Sequence, residues 1–172
     1  MVIDVNKIPR EGLCLDRDFQ FTSLELIEED AVCLGPTHAV IEIKKAGSEV
    51  LIKGKITACL SFICSRCLRA FEYYVNSAFD LVYFPEELDG IKEELAEEDL
   101  DKLYYYHQEL DLREIVLEQL NLSFPFRPLC SEDCEGICPV CGELVHQGHC
   151  SCQVKEPDSR LEKLKLFLRD KR

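Results

Sequence analysis

Short runs of apolar and β-branched residues recur between Ala31 and Phe84, and they predict a series of β-strands. The runs are Val40 to Ile43, Val50 to Ile52, Ile56 to Ile63, Tyr73 to Val75 and Phe79 to Phe84. Gly47-Ser48 has the residues of a hairpin turn, and Gly54 is interpreted as a second interruption. We therefore expect an antiparallel sheet that is barrel-like.

Two later segments have a helical pattern. Asp111, with Glu114 three residues on, resembles a capping box. The apolar positions that follow fall on one helical face: Leu112, Ile115, Val116 and Leu120. Ser159 and Glu162 form a second such box before the apolar stripe of Leu161, Leu164 and Leu168. This predicts a C-terminal helix.

The expected fold class is thus α+β. Residues 1–110 are predicted to form the antiparallel β domain. Residues 111–172 are predicted to contain the central helix, a cysteine-rich loop cross-linked by zinc and the C-terminal helix. Because 172 residues correspond to about one domain, we expect the two parts to form one compact unit.

The chain is strongly acidic, with 33 acidic and 20 basic side chains and a formal net charge of −13. Residues 86–101 contain nine acids and one lysine, and they are expected to form an exposed excursion from the β domain. An acidic protein repels phosphate backbones, so the charge favours a basic partner over naked nucleic acid.

Several classes of protein lack support in the sequence. No stretch without a charged residue exceeds 11 residues, whereas a membrane-spanning helix needs about 20. The first ten residues lack the apolar run of a signal peptide, so we expect a cytoplasmic location. Nothing resembles a catalytic triad, a phosphate-binding glycine loop or a carboxylate pair, and we expect no enzymatic activity.

Eight of the eleven cysteines occur in close pairs, a spacing that is typical of metal sites. The pairs are Cys64 and Cys67, Cys130 and Cys134, Cys138 and Cys141, and Cys150 and Cys152. Two thiolates on a short loop can reach one ion without backbone strain, and eight suffice for two four-sulfur tetrahedra. A reducing compartment disfavours disulfides. We therefore predict two structural Zn²⁺ ions.

The sequence determines less well which of the cysteine pairs bind the same ion. Proximity along the chain favours one site at Cys138, Cys141, Cys150 and Cys152, which leaves Cys64 and Cys67 to join Cys130 and Cys134. Crossed pairing stays open, and His146 or His149 can replace a sulfur. The remaining Cys14, Cys33 and Cys59 are expected to be small buried apolar residues.

Three other kinds of cysteine chemistry fit less well. A thioredoxin-like redox pair at Cys64 and Cys67 lacks a surrounding βαβ unit. The spacings match neither common ferredoxin pattern of iron–sulfur ligation. A zinc deaminase requires a Pro-Cys-x-x-Cys motif after His107-Gln108-Glu109, and none follows. His107 is interpreted as an ordinary sheet residue.

The order and spacing of these motifs resemble the YceD-like family, which is named for large ribosomal RNA subunit accumulation. The resemblance covers about Gly54 to Leu168, and it rests on Cys64-Ser65-Arg66-Cys67-Leu68, Asp111-Leu112, Phe124-Pro125, Pro128-Leu129-Cys130, Cys134 to Gly142, Cys150-Ser151-Cys152 and Asp158 to Leu161. The chain departs from the family pattern at residues 144–147, where an asparagine-containing turn is usual, and at Ser159, where proline is usual.

The resemblance implies a non-enzymatic role in accumulation of large-subunit ribosomal RNA. With the acidic charge, it predicts an accessory that binds a large-subunit component, either a basic ribosomal protein or ribosomal RNA, with no membrane and no small-molecule substrate. One alternative is an RNA-binding module that uses Arg66, Arg69 and the basic C-terminal helix. Another is a redox-sensing zinc switch, which requires exposed and labile thiolates.

Overall fold

The computed structural model describes residues 1–86, 103–145 and 150–152. The chain divides into two compact units, one of residues 1–65 and 69–130 and one of residues 66–68 and 131–172. Three predictions fall outside the described residues: the acidic run after Glu86, the C-terminal helix, and zinc ligation by His146 or His149.

The first unit contains eight strands and one α-helix among its described residues. They are β1 (Val2–Asp4), β2 (Leu13–Phe19), β3 (Val32–Cys33), β4 (Thr37–Ala46), β5 (Glu49–Ile63), β6 (Ala70–Pro85), β7 (Leu103–Tyr105), β8 (Glu109–Asp111) and α1 (Leu112–Leu122). Two short 3₁₀ helices span Val5–Lys7 and Ser23–Glu25. The described residues are mostly strand with one α-helix, as expected for an α+β class.

The larger sheet has the strand order β2-β4-β5-β6-β7, and β3 pairs with β5 beside this path. Its centre is the long antiparallel pair of β5 and β6, in register from Val50 opposite Tyr83 to Ile63 opposite Ala70. β1 and β8 form a separate two-stranded antiparallel sheet.

The prediction of a barrel-like sheet is wrong for the described part of the chain. β7 joins β6 in parallel, so the larger sheet is not purely antiparallel. Closure would require the edge strands β2 and β7 to pair with each other. Instead the chain continues from β7 into β8, which pairs with β1 outside the larger sheet.

Alternating side chains of the strands create the core of the first unit. On β4, Ile41 and Ile43 are buried while Val40 and Glu42 between them are exposed, as the two-residue period of a strand requires. Residues of β5, including Phe62, continue the buried layer. This layer forms one face of the larger sheet.

Helix α1 packs against β5 and β6 of this sheet. Its buried residues are Leu112, Ile115, Val116 and Leu120, which confirms the predicted face. The side chain of Asp111 caps the helix by accepting a hydrogen bond from the Arg113 backbone N–H at 2.9 Å. The capped start and the apolar face together place the helix over the core.

The two glycines interpreted as strand interruptions behave differently. Gly47 and Ser48 form the predicted turn between β4 and β5, and Gly47 has a φ of +68°. Gly54, in contrast, lies inside β5 opposite Phe79 of β6. A Cβ atom at position 54 would overlap the Phe79 ring. Gly54 therefore accommodates a cross-strand aromatic side chain and does not end a strand.

Two smaller expectations are corrected by the structure. Cys14 is exposed on β2, and Cys33 and Cys59 are half-buried, so none of the three is a fully buried core residue. Cys14 and Cys59 each lie between two strand residues that face the core, so alternation turns these two away from the interior. His107 is not in a strand but in the turn before β8, with a φ of +53°.

In the part of the chain that the structure describes, every helix is too short or too polar to cross a bilayer.

Candidate metal centres

Two groups of four cysteine sulfurs are present, and within each group all sulfurs lie within 4.8 Å of one another. The first group is Cys64, Cys67, Cys130 and Cys134, and the second is Cys138, Cys141, Cys150 and Cys152. These are the same two sets that proximity along the sequence favours. Each is complete without a histidine.

The first group begins where the long β5–β6 hairpin turns. The Cys64 backbone N–H donates to the Arg69 carbonyl at 2.9 Å, which closes the connection between the two strands. Leu68 adopts a φ of +58°, a left-handed conformation that permits this tight return. The backbone N–H and the hydroxyl of Ser65 both donate to the Pro128 carbonyl, at 2.9 and 3.0 Å. These bonds bring the hairpin tip close to the segment that precedes Cys130.

Arg66 organises the loop that carries Cys134. Its guanidinium Nη1 donates to the carbonyls of Glu132 and Cys134, at 3.0 and 2.8 Å. Gly136 has a φ of +80°, and a Cβ atom there would lie 2.9 Å from the Arg66 carbonyl oxygen. A side chain at position 136 is therefore excluded by both conformation and space.

The second group is built on a tight turn from Cys138 to Gly142. The Val140 N–H donates to the Cys138 sulfur at 3.4 Å, and the Gly142 N–H donates to the Cys138 carbonyl at 2.9 Å. Gly142 has a φ of +77°, which this turn requires. The sulfur of Cys141 lies 3.6 Å from that of Cys150.

The thiols of the second group differ strongly in acidity. Hydrogen bonds from the backbone N–H groups of Cys141 and Val140 lower the pKa of Cys138 to about 6. The neighbouring sulfurs of Cys141 and Cys150 raise the pKa of Cys152 to about 12. Without a cation, the sulfurs of Cys141 and Cys150 therefore oppose ionisation of Cys152. A divalent cation removes this penalty, because it favours the thiolate form of every ligand.

The spacing of the sulfurs fits a tetrahedral zinc site. Zn–S bonds of about 2.3 Å place the corners of a tetrahedron roughly 3.8 Å apart. The 3.6 Å distance between Cys141 and Cys150 is close to this value, and the 4.8 Å limit requires only a small contraction. All-sulfur sets of four are typical of structural zinc. Zinc binding by either group stays a prediction.

The two groups differ in their access to solvent. Cys64, Cys67 and Cys134 are buried and Cys130 is exposed, whereas only Cys138 of the second group is buried. The first group is therefore better shielded from oxidants and chelators.

Sequence reasoning found the eight cysteines but missed the residues that position them. Ser65 and Arg66 lie inside the first cysteine pair, and their hydrogen bonds to distant carbonyls have no signature in the sequence. Gly136 carries one available signal, because a glycine between two closely spaced cysteines often marks a position that needs positive φ.

Comparison with known proteins places these features in a family. The model of a family described as large ribosomal RNA subunit accumulation protein YceD matches residues 52–168, which include all eight paired cysteines. No solved structure matches the chain.

The similar relatives are mycobacterial proteins described as uncharacterized. One from Mycobacterium bovis and one from Mycobacterium tuberculosis are 32% identical over 120 residues, which cover 69% of this chain and 55% of theirs. One from Mycobacterium leprae is 26% identical over 117 residues, or 66% of this chain and 52% of its own. The chain thus spans about half the length of these relatives.

Proposed function

Because this chain belongs to the YceD family of large ribosomal RNA subunit accumulation proteins, we propose that it is a non-enzymatic accessory of ribosome biogenesis. It supports accumulation of large-subunit ribosomal RNA by binding a basic component of the large subunit. The proposed partner is a ribosomal protein, and the two cysteine groups each hold one structural Zn²⁺.

The negative charge of the chain is the reason for proposing a basic partner. The described residues alone include 21 acidic and 11 basic side chains, a formal net charge of −10. Eight thiolates and two Zn²⁺ ions would take the whole chain from −13 to −17. Such a surface attracts cationic proteins and repels phosphate.

A role of Arg66 in RNA binding has less support. One nitrogen of its guanidinium is engaged by two backbone carbonyls beside Cys134, so this side chain contributes to loop structure. The RNA-binding alternative then depends on Arg69 and on basic residues outside the described part of the chain. RNA binding would appear in an affinity purification as partner recovery that depends on intact RNA.

A structural role for the metal follows from the donor set. Catalytic zinc keeps an open coordination position for water or substrate, whereas four thiolates fill the tetrahedron. Each group offers four sulfurs to one ion, so it leaves no such position. Coordination by four thiolates therefore supports a structural role for the zinc, not a catalytic one.

Affinity purification from growing cells tests the proposal. The full chain carries an affinity tag, and the lysate is divided into RNase-treated and untreated arms. We expect a basic large-subunit protein in both arms, with recovery that falls as salt rises. Recovery that disappears after RNase treatment would favour the RNA-binding module instead. Cells without the protein should hold less large-subunit RNA relative to small-subunit RNA.

The acidic run provides a charge-specific arm of this test. Substitution of Glu93, Glu94, Glu97 and Glu98 by glutamine removes four charges from residues outside the described part. If the run recruits the partner, association becomes slower and less dependent on salt, because peripheral charges act mainly on the encounter rate. Unchanged association rates and RNA levels would show that the run only solubilises the protein.

A redox-switch role predicts a different result. The Cys141 side chain is exposed. The lowered pKa of Cys138 favours the thiolate form of Cys138. Exposure and thiolate character are both conditions for the reaction of a cysteine with oxidants. A switch requires that mild oxidation releases zinc and changes partner recovery together. Recovery that is unaffected by such treatment would exclude this role.

A further inference from the structure

A cavity of about 350 Å³ lies in the first unit beside β7, β8 and the start of α1. Tyrosines and carboxylates dominate its lining, among them Tyr83, Tyr104, Tyr106, Glu109, Glu114 and Glu118. Among the described residues, no lysine or arginine lines this groove. It therefore combines aromatic surface with negative charge.

The mostly buried side chain of Tyr83 contributes to the lining of the groove. The residue is only 8% exposed, and no hydrogen bond from its hydroxyl is found within the described part of the chain. The neighbouring Tyr105 differs, because its hydroxyl donates to the Ser48 carbonyl at 2.8 Å. The Tyr83 hydroxyl is not one of the fully buried polar atoms that lack a partner, so it opens onto the groove. The hydroxyl of Tyr83 is thus available to a ligand.

Two carboxylates of α1 lie near this hydroxyl. Glu114 and Glu118 are one helical turn apart and exposed, so they project from the same side of the helix. Burial first, and then the charges of Glu118 and Glu114, raise the pKa of Tyr83. Neither glutamate takes part in an ion pair with another described residue. The nearby Arg113 is engaged elsewhere, by Glu25 at 2.7 Å and by the ring of Phe21.

We propose that this groove binds an arginine side chain from a basic segment of a partner protein. The guanidinium would be held by the carboxylates of Glu114 and Glu118, would donate to the Tyr83 oxygen and would stack on tyrosine rings. RNA is a poor occupant, because the described lining contains four carboxylates and no lysine or arginine to contact phosphate. The identity of the partner as a ribosomal protein rests on the proposed function, whereas arginine recognition rests on the groove.

A peptide titration tests the groove directly. The probe is the peptide Ac-Gly-Arg-Gly-Arg-Gly-NH₂, and the control peptide has citrulline in place of arginine, which keeps the shape without the charge. With the full chain labelled with ¹⁵N, we expect saturable shifts at residues 83, 104–106 and 114–118 for the arginine peptide alone. Equal shifts with both peptides, or shifts elsewhere only, would overturn the proposal.

Matched variants separate specific recognition from net charge. Glu114→Gln with Glu118→Gln should weaken binding about tenfold, because two charge-assisted contacts are lost. Glu28→Gln with Glu29→Gln removes the same charge from exposed residues outside the groove and should leave the affinity unchanged. Tyr83→Phe should weaken binding about threefold through loss of a single hydrogen bond. Equal effects of the two double variants would overturn the proposal.

Arginine binding by the groove and binding of a ribosomal protein can be contradicted by different results. If the peptide binds as expected but no ribosomal protein is recovered from cells, the groove stands and the proposed partner is wrong. If a basic ribosomal protein is recovered equally by the wild type and by the variant Glu114→Gln, Glu118→Gln, the partner stands and the groove is not its binding site.

Discussion

The sulfur of Cys141 lies 3.6 Å from the sulfur of Cys150, although eight residues separate them along the chain. This distance is close to the edge of a tetrahedron of thiolates around zinc, which is roughly 3.8 Å. The turn from Cys138 to Gly142 fixes one side of the pair through backbone hydrogen bonds. The sulfurs of the second group thus have a spacing that suits a tetrahedral thiolate site.

We predict that the purified chain holds two zinc ions, each in an all-sulfur site. Metal analysis of freshly purified, reduced protein gives the stoichiometry, and X-ray absorption gives the ligand type. Cys67→Ser and Cys138→Ser should each lower the zinc content by about one ion, since each removes a ligand from a different group. Protein with one zinc or none would contradict the two-site prediction.

Loss of a ligand should have different structural consequences in the two groups. Cys64 is fully buried at the end of β5 in the first unit, so Cys64→Ser should reduce amide protection along the β5–β6 hairpin. Cys150→Ser should affect mainly residues 136–145, because its group is confined to residues 138–152. Hydrogen exchange followed by mass spectrometry measures both variants.

Cys14→Ser is the matched control, because Cys14 is exposed on β2 and belongs to neither group. It should leave the exchange pattern unchanged. Identical losses of protection in Cys64→Ser and Cys150→Ser would mean that the two groups do not stabilise separate parts of the chain.

Local signals were sufficient for the parts of the fold that depend on neighbouring residues. The alternation on β4 and the cap at Asp111 are both encoded within a few residues, and both are present. Gly54 was misinterpreted because its role depends on Phe79, 25 positions away on β6. The open sheet is not predictable for a similar reason, since β1 pairs with β8, which lies more than 100 positions further along the chain.

The candidate sites also differ in whether neighbouring residues in the sequence are enough to predict them. Cysteine spacing identified both groups, because metal ligands on short loops leave a local pattern. The groove left no such pattern. Tyr83 precedes Glu114 by 31 residues, and only the packing of α1 beside β6 brings them to one cavity. Sequence alone gives the spacing of ligands but not the surfaces that topology assembles.

An aromatic cluster should contribute strongly to the stability of the first unit. Phe62 is 2% exposed, and its ring makes edge-to-face contacts with Phe124 and Tyr73, at centroid distances of 5.1 and 5.5 Å. Phe62→Ala should lower the free energy of unfolding by about 3–5 kcal/mol, through lost burial and the cavity that remains. Phe126→Ala is the control, since Phe126 is fully exposed, and should change it by less than about 0.5 kcal/mol. Urea denaturation measures both, and similar losses would contradict the assigned core.

Alkaline pH should destabilise the first unit through ionisation of Tyr83. Burial, together with the charges of Glu118 and Glu114, raises the pKa of Tyr83 to about 12, whereas an unfolded chain titrates near its ordinary value of about 10. Between these values the unfolded state loses its proton first, and this favours unfolding. The contribution of Tyr83 is therefore complete below about pH 10 and declines as the pH rises toward 12.

Paired variants isolate this contribution from the other groups that titrate in the same range. Urea denaturation at pH 8 and pH 11 should show that the wild type loses about 1 kcal/mol more than Tyr83→Phe, which has no proton to lose. Tyr106→Phe removes the hydroxyl of an exposed tyrosine of the same groove and should lose as much as the wild type. If the wild type and Tyr83→Phe respond equally to pH, the negative charges of the groove do not act on the Tyr83 hydroxyl. Such a result would also mean that Glu114, Glu118 and the Tyr83 hydroxyl are not close enough to bind one guanidinium together.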